Sequence, residues 1–310
     1  MGYFKSILGL AIISTFAISS CSSDCTDHIE ATTVTPFETP TQQEFEQLQQ
    51  NVLNDKIESI QLDISKGLNY TSPSGVTVFL APTCLNIAGL PVTGIVDFEF
   101  TEIFNRGDML TSNITTVGTK PSGEQEYLIS GGAFFISATQ NGQTINMTCP
   151  GFIGVPSLPT GGIDQEMRPF SGSIGVDGNI NWTIIDGEIE IDLDDYFGHF
   201  PDFGWFNVDR FANDSRPTTQ LQIAIPQEFN TENTRVYIAL EGEPNSLSYV
   251  YGAFPIGLEA HIIFISEENG NFRYAIKSLT IQENQVVAFA RQQTDIATAS
   301  ELKSIVNALP

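Results

Sequence analysis

The chain has 310 residues, with 37 acidic side chains against 13 Lys and Arg, a formal net charge of −24. Such an excess of negative charge repels nucleic acid and anionic lipid headgroups, so neither is expected as a partner. It fits colloidal solubility on a crowded surface, or divalent-cation binding wherever carboxylates cluster.

Met1-Gly-Tyr-Phe-Lys5 is a short basic start, followed by an apolar run from Ser6 to Ile18 that is too short to span a bilayer comfortably. Small residues then lead into Cys21. That order matches a bacterial lipoprotein signal peptide over residues 1–20, with the Cys21 thiol acylated as the first mature residue. Each acyl CH₂ in a membrane contributes about 0.8 kcal/mol, so the usual acyl chains would form an essentially permanent anchor. Ser22 after Cys21 is not acidic, which favours the outer membrane over retention at the inner one. Residues 21–40 lack periodicity and read as a flexible tether.

Thr41-Gln-Gln-Glu44 is a capping box ahead of Phe45, Leu48 and Val52, which predicts a short amphipathic helix. Alternating apolar runs follow at Ile60–Ile64, Val76–Leu80, Ile95–Phe100 and Phe134–Ala138. Asn141-Gly142, Asp177-Gly178 and Asn269-Gly270 are hairpin turns. Cys149 to Gly162 reads as a loop rich in Pro and Gly. Further strands are expected at Asn181–Ile185, Glu188–Leu193, Thr219–Ile225, Arg235–Leu240, His261–Ile265 and Phe272–Ile281. The runs are too closely spaced for intervening helices, which predicts an all-β protein of two antiparallel β-sandwich domains. The first is expected over residues 41–196 with its leading helix, and the second over 197–297. The aromatic stretch Phe197–Phe211 would form their boundary, with Trp205, Phe206 and Phe211 as a packing core and Asp209 and Arg210 paired with each other, the backbone or neighbouring strands to hold the junction. Residues 298–310 read as a C-terminal helix, with Leu302, Ile305, Val306 and Leu309 on one face.

Four cysteines occur. An oxidising compartment permits disulfides, and Cys84 and Cys149 both lie at predicted strand ends, so they are expected to pair and leave Cys25 unpaired. The sequence holds no C-x-x-C, which excludes zinc-ribbon and thioredoxin-type readings.

Several segments carry a resemblance, in one order: Gly75–Phe79, Gly89–Asn105, Asp108-Met-Leu110, Ser130–Gly142, Met167–Gly172, Asp177–Trp182 and Gly204–Phe211. Over roughly residues 57–282 the series resembles a largely uncharacterised group of surface lipoproteins of Bacteroidota-type bacteria. The first half is also distantly similar to ZU5-type β-sandwich domains. The resemblance implies a fold and a cell-surface setting and brings no established catalytic set. Some ZU5-type domains cleave themselves at a Phe-Ser bond near a histidine. Here Phe200 is followed by Pro201, so the hydroxyl nucleophile is missing.

Three histidines occur: His28 on the tether, His261 in an apolar strand, and His199 near Asp195 and Asp202. His261 reads as a core residue and His199 as a loop residue, with an acid–base pair as its alternative. Asp186, Glu188, Glu190, Asp192 and Asp194 alternate, which on one strand would put all five on a single solvated face. Calcium would need oxygens from a second loop, so no metal or other cofactor is expected. Tyr249 and Tyr251 could stack on sugar rings, or alternate in a strand. These observations point to a lipid-anchored cell-envelope protein acting as a non-catalytic binding or structural module, with a protein or glycan as its partner. The alternative is a carboxylate-dependent hydrolase of a surface polysaccharide.

Overall fold

A computed structural model describes residues 37–310. The lipidation site Cys21, the expected free Cys25 and His28 lie outside the described residues. Three α-helices and a majority of strand segments occur among the described residues, in an all-β arrangement. None of these helices is long and apolar enough to cross a membrane.

The first helix, α1 (Gln42–Asn54), begins as the capping box requires: Thr41 Oγ1 accepts from the Glu44 amide, and the Glu44 carboxylate accepts from the Thr41 amide. A large first sheet then has the strand order Glu58–Asp63, Ile95–Ile103, Gln125–Gln140, Gly204–Phe211, Arg168–Ile174, Ile180–Ile184 and Val117–Thr119. Val117–Thr119 pairs with both Ile180–Ile184 and Gln125–Gln140, so five of these strands close into a ring. Five antiparallel strands form an outer sheet, in the order Glu190–Asp192, Asp195–Phe200, Gly151–Pro156, Thr77–Leu80 and Leu68–Thr71. Phe98, Phe100 and Phe134 of the first sheet meet Val78, Ile153 and Phe200 of the outer sheet in one apolar core.

The opposite face of the first sheet builds a second core. Phe170 and Trp182 join Phe45 of α1, Met109 and Leu110 of α2 (Arg106–Ser112), and Leu302 and Val306 of α3 (Ala299–Asn307). Tyr237, Ile263 and Phe272 of a C-terminal sheet complete it. That sheet runs Ser248–Tyr249, Thr234–Leu240, Glu259–Glu268, Asn271–Thr280 and Asp295–Ala297. Among the described residues, no sheet of similar size matches its far face. Phe264 there packs on Phe229 and Phe289, near the two-stranded ribbon of Gln222–Ala224 and Val286–Ala288.

The aromatic stretch is therefore no domain boundary. A division at residue 197 cuts the outer-sheet strand Asp195–Phe200, and Gly204–Phe211 is the central strand of the first sheet. Pro201–Phe203 is a crossing between the two, and Phe200 and Phe206 meet in the core beneath it, ring centroids 6.2 Å apart. Residues 38–310 form one compact unit. Phe206 is buried as expected, whereas Trp205 and Phe211 are half-buried. Arg210 reaches Asp164, with Nε 2.5 Å from the carboxylate.

Gly151–Pro156, expected as loop, is the middle strand of the outer sheet. Its glycines mark close packing: a Cβ on Gly151 would stand 2.2 Å from the Phe200 ring, and one on Gly154 2.9 Å from that of Phe197. Cys84 and Cys149 are joined, Cα atoms 5.2 Å apart.

Register shifts where Gly131-Gly132 opposes Val208. A Cβ on Gly131 would lie 2.6 Å from the Val208 carbonyl oxygen, and Gly132 has φ +124°, so the bulge requires glycine. Beside it, Asp209 is fully buried, and its Oδ2 accepts from Asn207 Nδ2 at 2.6 Å. Burial pushes its carboxyl well above the ordinary range, and Ser130 and the Gly131 amide only partly oppose this. The folded value lies above the unfolded one, so the group's contribution is complete below the unfolded pKa and is lost as pH rises through the folded value. Asp209→Asn is expected to raise stability near neutral pH by about 1–3 kcal/mol. Denaturant titration should show a larger gain at about pH 8 than at about pH 5.

Candidate functional site

Two neighbouring depressions share Arg235 and take their other walls from the turn Ile174–Asn179. One, of 360 Å³, has Trp205 together with Gln49, Gln50 and Asn113. The other, of 310 Å³, has Tyr251 together with Gln42, Asn179 and Glu232.

Local chemistry fixes each wall. Gly172 pairs with Trp205 across the strands, and a Cβ there would lie 2.8 Å from the Trp205 Cβ and 2.6 Å from the Trp182 ring. Glycine thus lets the two indoles meet edge to face, centroids 6.2 Å apart. Trp182 is fully buried and donates through Nε1 to the Thr115 carbonyl at 2.7 Å, so Trp205 rests on a fixed base. Asn113 ends α2 in the left-handed conformation, φ +60°. Its Nδ2 donates to the Gly178 carbonyl at 3.0 Å, and its Oδ1 accepts from the hydroxyls of Tyr237 and Tyr249. Burial pushes both phenols upward, which keeps them protonated as donors. Gln49 Nε2 donates to the Tyr237 hydroxyl at 3.1 Å, joining α1 to the same network.

Arg235 is the second residue of the strand Thr234–Leu240 and is nine-tenths buried. Its Nη1 donates to the carbonyls of Thr231 and Thr234, its Nη2 to that of Asp177, and its guanidinium carbon lies 5.6 Å from the Phe45 ring centroid. Nε has no hydrogen-bond partner among the described residues. Ile174, Val176 and Tyr251 expose apolar surface at the rims, Val176 completely. Aromatic surface, amides and a guanidinium together can bind a polar ligand by stacking and hydrogen bonding.

The other candidates are placed elsewhere. His199 is exposed on the outer sheet and meets the Phe152 ring edge-on at 5.6 Å; no hydrogen bond to Asp195 or Asp202 occurs among the described residues. His261 is buried and shares a hydrogen bond between Nδ1 and the Ser278 hydroxyl at 2.7 Å; burial and then Arg106 lower its pKa. The five acids do not share one strand. Only Glu190–Asp192 is extended, because Gly187 at φ +131° and Leu193 at φ +53° turn the chain on either side. No group of three or more His, Cys, Asp or Glu suited to a metal ion occurs among the described residues. A further cavity of 580 Å³ has Lys120, Glu126, Tyr127 and Asp214 on its walls. Lys120 pairs with Glu126 and Asp214 with Arg216, while Glu124 has no ion pair among the described residues, and burial pushes Tyr127 up to about 12.

Sequence reasoning found Trp205 and Tyr251 but assigned Trp205 to structure, and it passed over Arg235 and Asn113. Gln42, Gln49 and Gln50 recur at helical spacing in α1, Gln49 on its buried face beside Phe45, and that spacing was a signal available. Comparison with family models, curated proteins and solved structures returned no match.

Proposed function

We propose that this chain is a lipid-anchored cell-envelope protein, placed at the outer membrane, that acts as a non-catalytic binding module. The observation that supports binding is the pair of depressions around Arg235. There, half-buried Trp205 and exposed Tyr251 flank amides held by the Asn113 network. Aromatic faces beside fixed amides favour recognition, since the rings lose little conformational freedom when a ligand covers them. Arrays of cell-envelope glycans and proteins, probed with the parent and with Tyr251→Ala, test this reading. The variant is expected to lose the parent's signal while unfolding at the same temperature. An unchanged array would overturn the assignment of this site.

Anchoring rests on the basic start, the apolar run to Ile18 and Cys21. The resemblance to surface lipoproteins agrees with it. Cys21→Ala is expected to shift the protein from the detergent phase to the aqueous phase, or to leave the unprocessed mass. Phase partitioning with mass spectrometry measures both, and an unchanged partition and mature mass would sink the proposal.

A further inference from the structure

We infer that the two depressions are adjoining subsites of one site, and that their ligand is an uncharged oligosaccharide. This rests on the binding reading above and adds the class of ligand. Arg235 belongs to both depressions, and each has its own aromatic residue, Trp205 in one and Tyr251 in the other. A ligand spanning them meets two ring surfaces with a polar stretch between. That repeat of apolar ring face and hydroxyl edge is what successive pyranose units present.

The polar groups fit hydroxyls. Gln42 and Gln50 each use Nε2 within α1, toward Glu46 Oε1 and Asn54 Oδ1, both at 2.7–2.8 Å. Their side-chain carbonyls accept no hydrogen bond among the described residues and stand ready as acceptors. Arg235 is the complementary donor. Three backbone carbonyls hold its guanidinium in place and take both Nη1 hydrogens and one on Nη2, which leaves the second Nη2 hydrogen to donate; its Nε is buried and has no hydrogen-bond partner among the described residues. A sugar hydroxyl donates and accepts at once, and so uses both kinds of group.

Charge selects against anionic ligands. Glu46, Asp177 and Glu232 stand on these walls against the single guanidinium of Arg235, in a chain of net charge −24. A polyanionic glycan would meet repulsion at the rims and from the molecule as a whole. A neutral ligand with many hydroxyls avoids that repulsion. Each depression lies at the small end of ligand-site volumes, suited to a short sugar segment rather than a protein surface.

The test uses the full mature protein in detergent, titrated calorimetrically and by tryptophan fluorescence. The probes are neutral pentasaccharides of glucose, xylose and mannose, with oligogalacturonate of the same length as the charged counterpart. At least one neutral pentasaccharide is expected to bind, with little change on raising salt. Tyr251→Ala and Arg235→Gln are each expected to weaken it by about tenfold. Tyr251 is 60 % exposed, so its variant separates binding from folding should Arg235→Gln fail to fold. Three results would overturn the inference: no neutral pentasaccharide binds, binding is restricted to oligogalacturonate and falls with salt, or neutral binding is indifferent to Tyr251→Ala. If a protein on the array depends on Tyr251 while no sugar binds, the binding module stands and the oligosaccharide is wrong.

Discussion

Arg106→Ala is expected to cost about 3–5 kcal/mol of stability, because several buried carbonyls lose their donor together. Arg106 is 1 % exposed at the start of α2. Its Nε donates to the Val306 carbonyl at 3.0 Å and its Nη1 to that of Leu240 at 3.2 Å, while Nη2 donates to Leu309. One guanidinium thereby ties the last turn of α3 to the C-terminal sheet, and its positive charge sits where the helix dipole is negative. Two neighbours support the clamp. Gly107 permits contact with α3, since a Cβ there would lie 2.5 Å from the Lys303 carbonyl oxygen. Burial pushes the Asp108 carboxyl up, but Lys56 and Lys303 outweigh it and hold the group below its ordinary value. Arg106→Lys keeps the charge but not the fork of donors, so it should recover only part of the loss. Denaturant midpoints followed by circular dichroism would decide; an alanine variant matching the parent would show that the clamp holds nothing.

Replacing Cys84 and Cys149 together by alanine is expected to cost about 4 kcal/mol, from the chain-entropy account of a loop of this length. The bridge joins residues 65 apart in sequence. It fastens the short turn Pro82–Cys84 to the chain entering the strand Gly151–Pro156, and Thr148 also donates its amide to the Cys84 carbonyl. The same loss should appear in the parent under reductant and be absent in the double variant, which measures the bridge apart from the substitution. Equal midpoints for parent and variant without reductant would contradict this expectation.

Much of the fold was legible where a local rule governs. The capping box at Thr41 marked the start of α1, and the spacing of Leu302, Ile305 and Val306 marked α3. The turns at Asn141-Gly142 and Asn269-Gly270 take the positive φ values that those residues tolerate. What escaped was decided by tertiary contact. All seven residues of α2 are buried, so it shows no polar face and no helical period. Gly151 and Gly154 looked like loop residues because the rings that exclude a Cβ there come from Phe200 and Phe197, far along the chain. Trp205 was legible as an anchor, but its partial exposure depends on where α1 and the turn at Val176 stand. Arg235 sat in an apolar run, and nothing local shows which carbonyls surround it.

The position of Gly204–Phe211 bears on how the chain acquires its fold as it emerges N-terminus first. Its sheet neighbours, Gln125–Gln140 and Arg168–Ile174, are both made earlier. Until residue 211 is available, those two strands have no partner on the sides that will face it. Sequence-distant pairing of this kind slows folding, and open strand edges recruit other chains. A nascent chain cut near residue 200 would present two such edges around a missing middle, a species prone to aggregate rather than a smaller domain. Protection by a holding chaperone is therefore needed most in the interval between release of residue 140 and release of residue 211.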